Sequence, residues 1–248
     1  SYDAQSPEEY YCNFLFCFGD REIVDFPKLN YKVDRFYPVG SLNLALNFDN
    51  QLSALDPVYD LLVVSCWRGN IGFAEDVQES MRAMRVMDEM LARFLSFRKI
   101  KAAVIMRSER DSDQWVMPEL GVSEEKYYRS IYGDSIEIID VSFSKRNIYP
   151  VMQSASTIIA GFSTTCLIEA FAIGKKVLYA NFCDTDKYHC DFERELLFEG
   201  DESSYTLFEE RLDRLLEKDS EQYRAENERL MRYYMAPALP GSTTELIR

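Results

Sequence analysis

Leu61-Leu62-Val63-Val64-Ser65-Cys66, running straight into Trp67-Arg68-Gly69-Asn70-Ile71-Gly72, decides the fold class. The first six residues form a continuous apolar run of the kind a parallel sheet buries on both faces. A loop with two glycines follows, and from Glu75 to Phe97 the pattern becomes helical. Val77, Met81, Met84, Met87, Leu91, Phe94 and Leu95 draw a single apolar stripe at helical spacing. With Met90, the methionines could form an adaptable binding face, although core packing is the more ordinary use of such a stripe.

The same alternation continues downstream. Lys101–Met106 predicts a strand ending at Arg107, and Ser123 opens a helix through Tyr132 that Gly133 stops. Ile136–Val141 is a third strand, and Lys145–Ser154 a helix in which Pro150 marks a kink or a break. Thr157–Ala160 is a fourth strand, joined by Gly161-Phe162-Ser163-Thr164-Thr165 to a helix running to Ile173. Gly174 caps that helix, and Lys176–Ala180 makes a fifth strand. Two amphipathic helices, Tyr205–Leu216 and Ser220–Met235, come last. The economical solution is a set of right-handed βαβ units, an α/β Rossmann-like parallel sheet with helices on both faces.

Upstream, Tyr11–Phe18 reads as a buried aromatic strand ending in Gly19-Asp20, and Arg35–Val39 as a second extended piece. The polar stretch from Asn47 to Pro57 is a boundary. The expected organisation is a short N-terminal segment, residues 1–57, and a Rossmann-like domain with C-terminal helices, residues 58–248.

Composition narrows the function classes. The chain has 248 residues, 28 of them basic and 42 acidic, for a net charge of −14, with 47% hydrophobic and 14% aromatic residues. Such a chain has material for a packed core, and its charge argues against a broad nucleic-acid grip, which needs a basic face. No apolar run approaches the ~20 residues of a membrane span, and Ser1-Tyr2-Asp3-Ala4 has no signal-peptide character, so a cytoplasmic location is expected. Six cysteines with no C-x-x-C fit a reducing compartment. The run from Cys183 to Cys190, which contains the sole histidine, His189, matches no zinc spacing, and no metal site is expected.

In an open α/β sheet, ligands lie beyond the carboxyl ends of the strands, near the switch in strand order. Three features project there: Arg68 and Asn70 after the first strand, Arg107-Ser108 after the second, and the loop Gly161–Thr165. In that loop Ser163, Thr164 and Thr165 place hydroxyls and free N–H groups at a helix start, an anion site of the kind that takes phosphate. The alternative is that Ser163 or Thr164 only caps the helix. Glu169 favours a ligand, because a carboxylate one turn into the apolar helix Cys166, Leu167, Ile168, Ala170, Phe171 has no structural need to be there. Its alternative is a solvent-facing residue. Asp20, Asp140, Asp184 and Asp186 lie near strand ends and are acid/base candidates that spacing does not separate, with Asp20 and Asp140 put first. Walker, G-x-S-x-G, H-E-x-x-H and G-x-G-x-x-G motifs are absent.

Ser135–Asn181 resembles the nucleotide-binding half of GT-B glycosyltransferases. There a strand, a helix, a strand with a Ser/Thr loop, a Glu-bearing helix and a Gly-Lys-x-Val strand follow one another. Here these are Ile136–Val141, Asn147–Ser154, Thr157–Thr165, Cys166–Ile173 with Glu169, and Gly174-Lys175-Lys176-Val177-Leu178. The likeness is greatest to bacterial surface-carbohydrate enzymes of the capsular type, with Tyr188–Phe192 matching a late motif, while Phe18-Gly19-Asp20 and Tyr37–Leu42 are similar to the crossover between domains. The resemblance implies that Ser163, Thr164 and Thr165 hold donor phosphate, Glu169 the ribose, Arg68 and Arg107 the phosphate charge, and Val141 and Phe143 the base. It implies a nucleotide-sugar donor, CMP-linked sugars among those it allows, no cofactor, a glycan or glycolipid acceptor, and work at the inner face of a membrane. It also implies an acceptor-side domain, supplied by further N-terminal chain or by a partner. A non-catalytic nucleotide-sugar-binding subunit and a nucleotide-sugar epimerase are the competing functions.

Overall fold

A computed structural model of the chain describes residues 10–47, 56–67, 74–107, 121–140, 148–161, 164–183 and 196–236, with the backbone alone for 74–78. The elements are β1 (Tyr10–Cys17), α1 (Asp20–Lys28), β2 (Tyr31–Pro38), α2 (Leu42–Asn47), β3 (Tyr59–Val64), α3 (Ala74–Ser96), β4 (Ala102–Met106) and α4 (Glu124–Tyr132). They continue with β5 (Glu137–Asp140), α5 (Ile148–Gln153), β6 (Ala155–Ala160), α6 (Thr165–Ala172), β7 (Lys176–Asn181), β8 (Leu197–Glu199), α7 (Tyr205–Glu217) and α8 (Ser220–Tyr234).

Six strands form one parallel sheet in the order β5-β4-β3-β6-β7-β8. The chain builds outward from β3 to β5 in one direction, returns, and builds from β6 to β8 in the other. The switch point therefore lies between β3 and β6, at the centre of the sheet. Their side chains explain why they take that place: Leu61, Leu62, Val63, Ile158 and Ile159 are wholly buried. Full burial of each such side chain stabilises by ~1.5–3 kcal/mol.

The methionine stripe of α3 is core, since Met81, Met84, Met87 and Met90 are all buried. Asp219 begins α8 by accepting from the N–H groups of Glu221 and Gln222, both at 2.9 Å. Gly174 ends α6 with φ 84°, a conformation that favours glycine, and a Cβ there would lie 2.4 Å from Arg224 Nε. Among the described residues no helix is long and apolar enough to cross a membrane.

The N-terminal segment differs from expectation. Gly19-Asp20, the expected end of the first strand, starts a helix: the Glu22 carboxylate accepts from Gly19 N at 2.9 Å and satisfies a free helix-start donor. Together β1, α1 and β2 make a second, two-stranded parallel sheet, separate from the first. Nor is β1 buried. Helix α1 packs Phe26 against Tyr31 and Phe36, with ring centroids 5.0 and 6.4 Å apart. Phe14 and Phe16, which pair with Arg35 and Tyr37, stay 60% and 46% exposed. The unit is fastened to the large sheet through α8: Ala236 N donates to Phe18 O at 2.7 Å, and the Arg21 guanidinium lies 5.0 Å over the Tyr234 ring.

Candidate functional site

The carboxyl ends of β4, β3 and β6 meet at the switch point. Ser65, just past β3, places its hydroxyl among three partners: it donates to Glu124 Oε1 and accepts from Tyr128 OH at 2.8 Å and Trp67 N at 3.1 Å. Glu124, fully buried at the start of α4, also accepts from Arg107 N, with its two oxygens 2.9 and 3.1 Å away. One carboxylate thus ties together the ends of β3 and β4. Arg107 then sends Nη1 to Trp67 O at 3.3 Å, across the end of β3. Two neutral hydroxyls and backbone donors around a carboxylate make a satisfied network, which fixes positions better than a half-satisfied one.

Across the switch point, α6 begins at Thr165. The Thr164 hydroxyl accepts from Cys166 N at 3.4 Å, so it caps the helix, while the Thr165 side chain is exposed. The Cys166 thiol is raised above its ordinary range by burial and by the Glu169 charge; the Thr164 hydroxyl and the Arg107 charge pull the other way. Arg107, just past β4, and the start of α6, just past β6, both lie at the carboxyl edge of the sheet, on either side of β3.

Glu169 is not a surface residue. It is 4% exposed, and its Oε1 accepts from Ser41 Oγ and from Tyr149 OH, the latter at 3.1 Å. Burial raises its pKa, and the Ser41 and Tyr149 hydroxyls partly offset that shift. Ser41, whose Oγ also accepts from Leu44 N at 3.1 Å, comes from the loop between β2 and α2. The small sheet thereby reaches the helix that carries the candidate phosphate loop. Nothing in the local sequence around Ser41 or Tyr149 points to Glu169, because they lie 128 and 20 residues from it.

The remaining candidates divide. Asp140 ends β5, and its Oδ1 is buried with no hydrogen-bond partner among the described residues, which is unusual for a carboxylate oxygen. Asp20 is exposed in the first turn of α1, in the two-stranded unit. The structure does not bring these two aspartates together, since β5 is the outer strand of the other sheet. Arg68, Asn70, Val141, Phe143, Ser163, Asp184 and Asp186 lie outside the described residues, as does Tyr188–Phe192. Among the described residues no cluster of His, Cys, Asp and Glu could hold a metal ion.

No family model matches this chain, and no curated protein matches it in sequence. Solved structures do match. MurG of Acinetobacter baumannii shares 12% identity over 94% of this chain and 65% of its own, with a TM-score of 0.50. UGT89C1 of Arabidopsis thaliana shares 13% over 97% and 56%, with a TM-score of 0.47. The spinosyn forosaminyltransferase SpnP shares 16% over 88% and 49%, with a TM-score of 0.39. The chain spans about half to two thirds of the length of these structures. At such identities the likeness carries the fold alone, and the fold is the Rossmann-like α/β architecture of GT-B glycosyltransferases.

Proposed function

We propose that this chain is the donor-binding part of a GT-B-type glycosyltransferase that moves a sugar from a nucleotide to a surface polysaccharide or glycolipid. The observation that carries this is the placement of Arg107 and of the Thr164–Cys166 start of α6 on the carboxyl edge of the sheet, on either side of β3 at the switch point. A cation and an exposed helix N-terminus on one edge suit the two charged phosphates of a nucleoside diphosphate, or the single phosphate of a CMP-linked sugar. Thr165 and the N–H groups beside it take the phosphate, with Ser163 and Arg68 completing the cradle. Val141 and Phe143 line the base, and Asn70 lies beside the phosphates. Glu169 offers Oε2 to a ribose hydroxyl while Ser41 and Tyr149 hold Oε1 in place. No cofactor or metal enters this mechanism, and Asp140 and Asp20 are its candidate acid/base groups.

The acceptor half belongs to a domain of which residues 1–57 form the margin; residues 58–248 form the donor domain. The bare face of β1 and β2 supports this reading, because parallel strands are ordinarily covered on both sides. The enzyme works in the cytoplasm at the inner membrane face, where its acceptor is assembled.

The test is thermal unfolding with CMP, UDP, GDP and dTDP. A bound nucleotide at a hundredfold excess over Kd stabilises by about 2.7 kcal/mol, and one of the four raises the midpoint. Replacing Thr164 and Thr165 by Ala weakens that nucleotide by ~1–3 kcal/mol if they hold phosphate. If they only cap α6, stability falls by ~0.5–2 kcal/mol and affinity stays unchanged. No shift with any of the four nucleotides would overturn the proposal.

A further inference from the structure

Two carboxylates with no exposed surface lie on neighbouring helices, Asp88 on α3 and Glu124 on α4. Glu124 belongs to the switch point, where it joins Ser65 to Arg107; the nucleotide reading makes no use of Asp88. Three tyrosines of α4 bridge the two. Tyr127 OH and Tyr132 OH donate to the two oxygens of Asp88 at 2.8 and 2.6 Å, and Tyr128 OH donates to Ser65 Oγ at 2.8 Å. Their rings pack together, with Tyr128 centred 5.1 Å from Tyr127 and 6.1 Å from Tyr132. Tyr127 also lies 5.2 Å from the ring of Trp67, which donates its N–H to Ser65 Oγ and accepts from Arg107 Nη1 at its carbonyl. A continuous packed and hydrogen-bonded path thus runs from Asp88 to the end of β3, where Arg68 follows in the chain.

The bonding along that path depends on the charge of Asp88. Burial and the Asp88 charge keep all three tyrosine hydroxyls protonated. Tyr127 and Tyr132 therefore both arrive as donors, and a carboxylate accepts from both. The neutral acid has a proton of its own to place. It either gives that proton to a tyrosine oxygen, whose own hydrogen must then turn away, or leaves it unpaired in the core. One tyrosine loses its charge-assisted bond in the first case, and a buried donor goes unsatisfied in the second. Burial pushes the Asp88 pKa up to about 7 against the two tyrosine hydroxyls, and Glu124 on α4 and Glu89 on its own helix add to the shift. Arg85, paired with Glu89 at 2.7 Å, acts on Tyr127. A carboxyl buried at such cost is a candidate for function.

We propose that Asp88 is a positioning residue for the switch point, whose ionised carboxylate, by holding Tyr127 and Tyr132, fixes the Trp67 segment in the arrangement that binds nucleotide. The last clause rests on the donor-site reading; the link from Asp88 to Trp67 does not. The first test therefore uses no ligand. Trp67 emission is titrated from about pH 5.5 to 8.5 in a Trp115→Phe background, which leaves one indole. A single transition centred near the Asp88 pKa of about 7 is expected. It disappears in Asp88→Asn and shrinks in Tyr127→Phe, which keeps the ring against Trp67 without its bond to Asp88. The second test is calorimetric titration at pH 6 and pH 8 with whichever of CMP, UDP, GDP and dTDP binds. The parent chain gains more affinity between the two than Asp88→Asn does, by about 2- to 30-fold, the range that packed networks transmit. Comparison with the variant removes the titration of the nucleotide's own phosphate. A static Trp67 emission in the parent, an unchanged transition in Asp88→Asn, or equal gains in both chains would each overturn the proposal. If none of the four nucleotides binds, the donor-site reading falls and takes the nucleotide clause with it, while the emission titration still decides whether Asp88 sets the Trp67 segment.

Discussion

Replacing Asp88 by Asn should stabilise this protein above neutral pH and leave it nearly unchanged in acid. Asp88 sits on α3 with no exposed surface, where Tyr127 OH donates to Oδ2 at 2.8 Å and Tyr132 OH to Oδ1 at 2.6 Å. Burial pushes its pKa up to about 7 from an ordinary 3.8; the two tyrosine hydroxyls oppose the shift, and Glu124 and Glu89 add to it. Below the lower value the carboxyl is neutral in both folded and unfolded chains. Between the two values only the unfolded chain ionises, so stability falls as pH rises, and the fall ends above pH 7. Roughly three pK units at 1.36 kcal/mol each put the loss at about 4 kcal/mol. Asn keeps the shape and, by turning its amide, can accept from one tyrosine and donate to the other. Urea unfolding of both proteins from pH 4 to 8, followed by the emission of buried Trp67, gives the stability difference at each pH. That difference should grow in favour of Asn through the window and then level off. A flat difference would show that Asp88 is ionised throughout in the native state.

Two further substitutions probe how the parts are joined. Gly19→Ala would put a Cβ 2.5 Å from Tyr233 O and 2.8 Å from Met235 N, both backbone atoms, so the end of α8 must move. A loss of ~1–3 kcal/mol in denaturant, with earlier proteolysis near residue 235, is expected. Glu124→Ala strips Arg107 N and the Ser65 hydroxyl of a shared acceptor and should cost at least ~2 kcal/mol. It should also weaken whichever nucleotide binds; unchanged affinity in a folded variant would separate Arg107 from the phosphate site.

What could be read from the residues follows from the range of the forces involved. Strands β3 to β7 of the large sheet and helices α3, α4, α6, α7 and α8 were legible, because continuous apolar runs and helical stripes are local patterns, whereas the three-residue β8 is too short to draw one. Glu169 was legible as an anomaly, a carboxylate among apolar neighbours, but its partners were not. The helix α1 was hidden by Gly19, which normally marks a turn, and by Pro27 in its last turn. The exposure of β1 was hidden because its composition is that of a buried strand. Asp88 and Glu124 gave no signal at all. Asp88-Glu89 and Glu124-Glu125 look like solvated acidic pairs, and the tyrosines that hold Asp88 lie 39 and 44 residues away.

The strand order also constrains the chain while it is being made. β3 finds its first neighbour, β4, once residue 105 has been added, but its other edge waits for β6. Paired residues of β3 and β6 lie 96 positions apart in the chain, as do Ser156 and Asp60, whose Oγ and backbone O are hydrogen-bonded. Until Ala160 leaves the ribosome, β3, whose Leu61, Leu62 and Val63 are wholly buried in the finished sheet, carries one open edge, and chains with such distant pairings close slowly. β7 and β8 can only then be added in turn, so a ribosome stalled before residue 160 holds a sheet with its centre exposed at the rim.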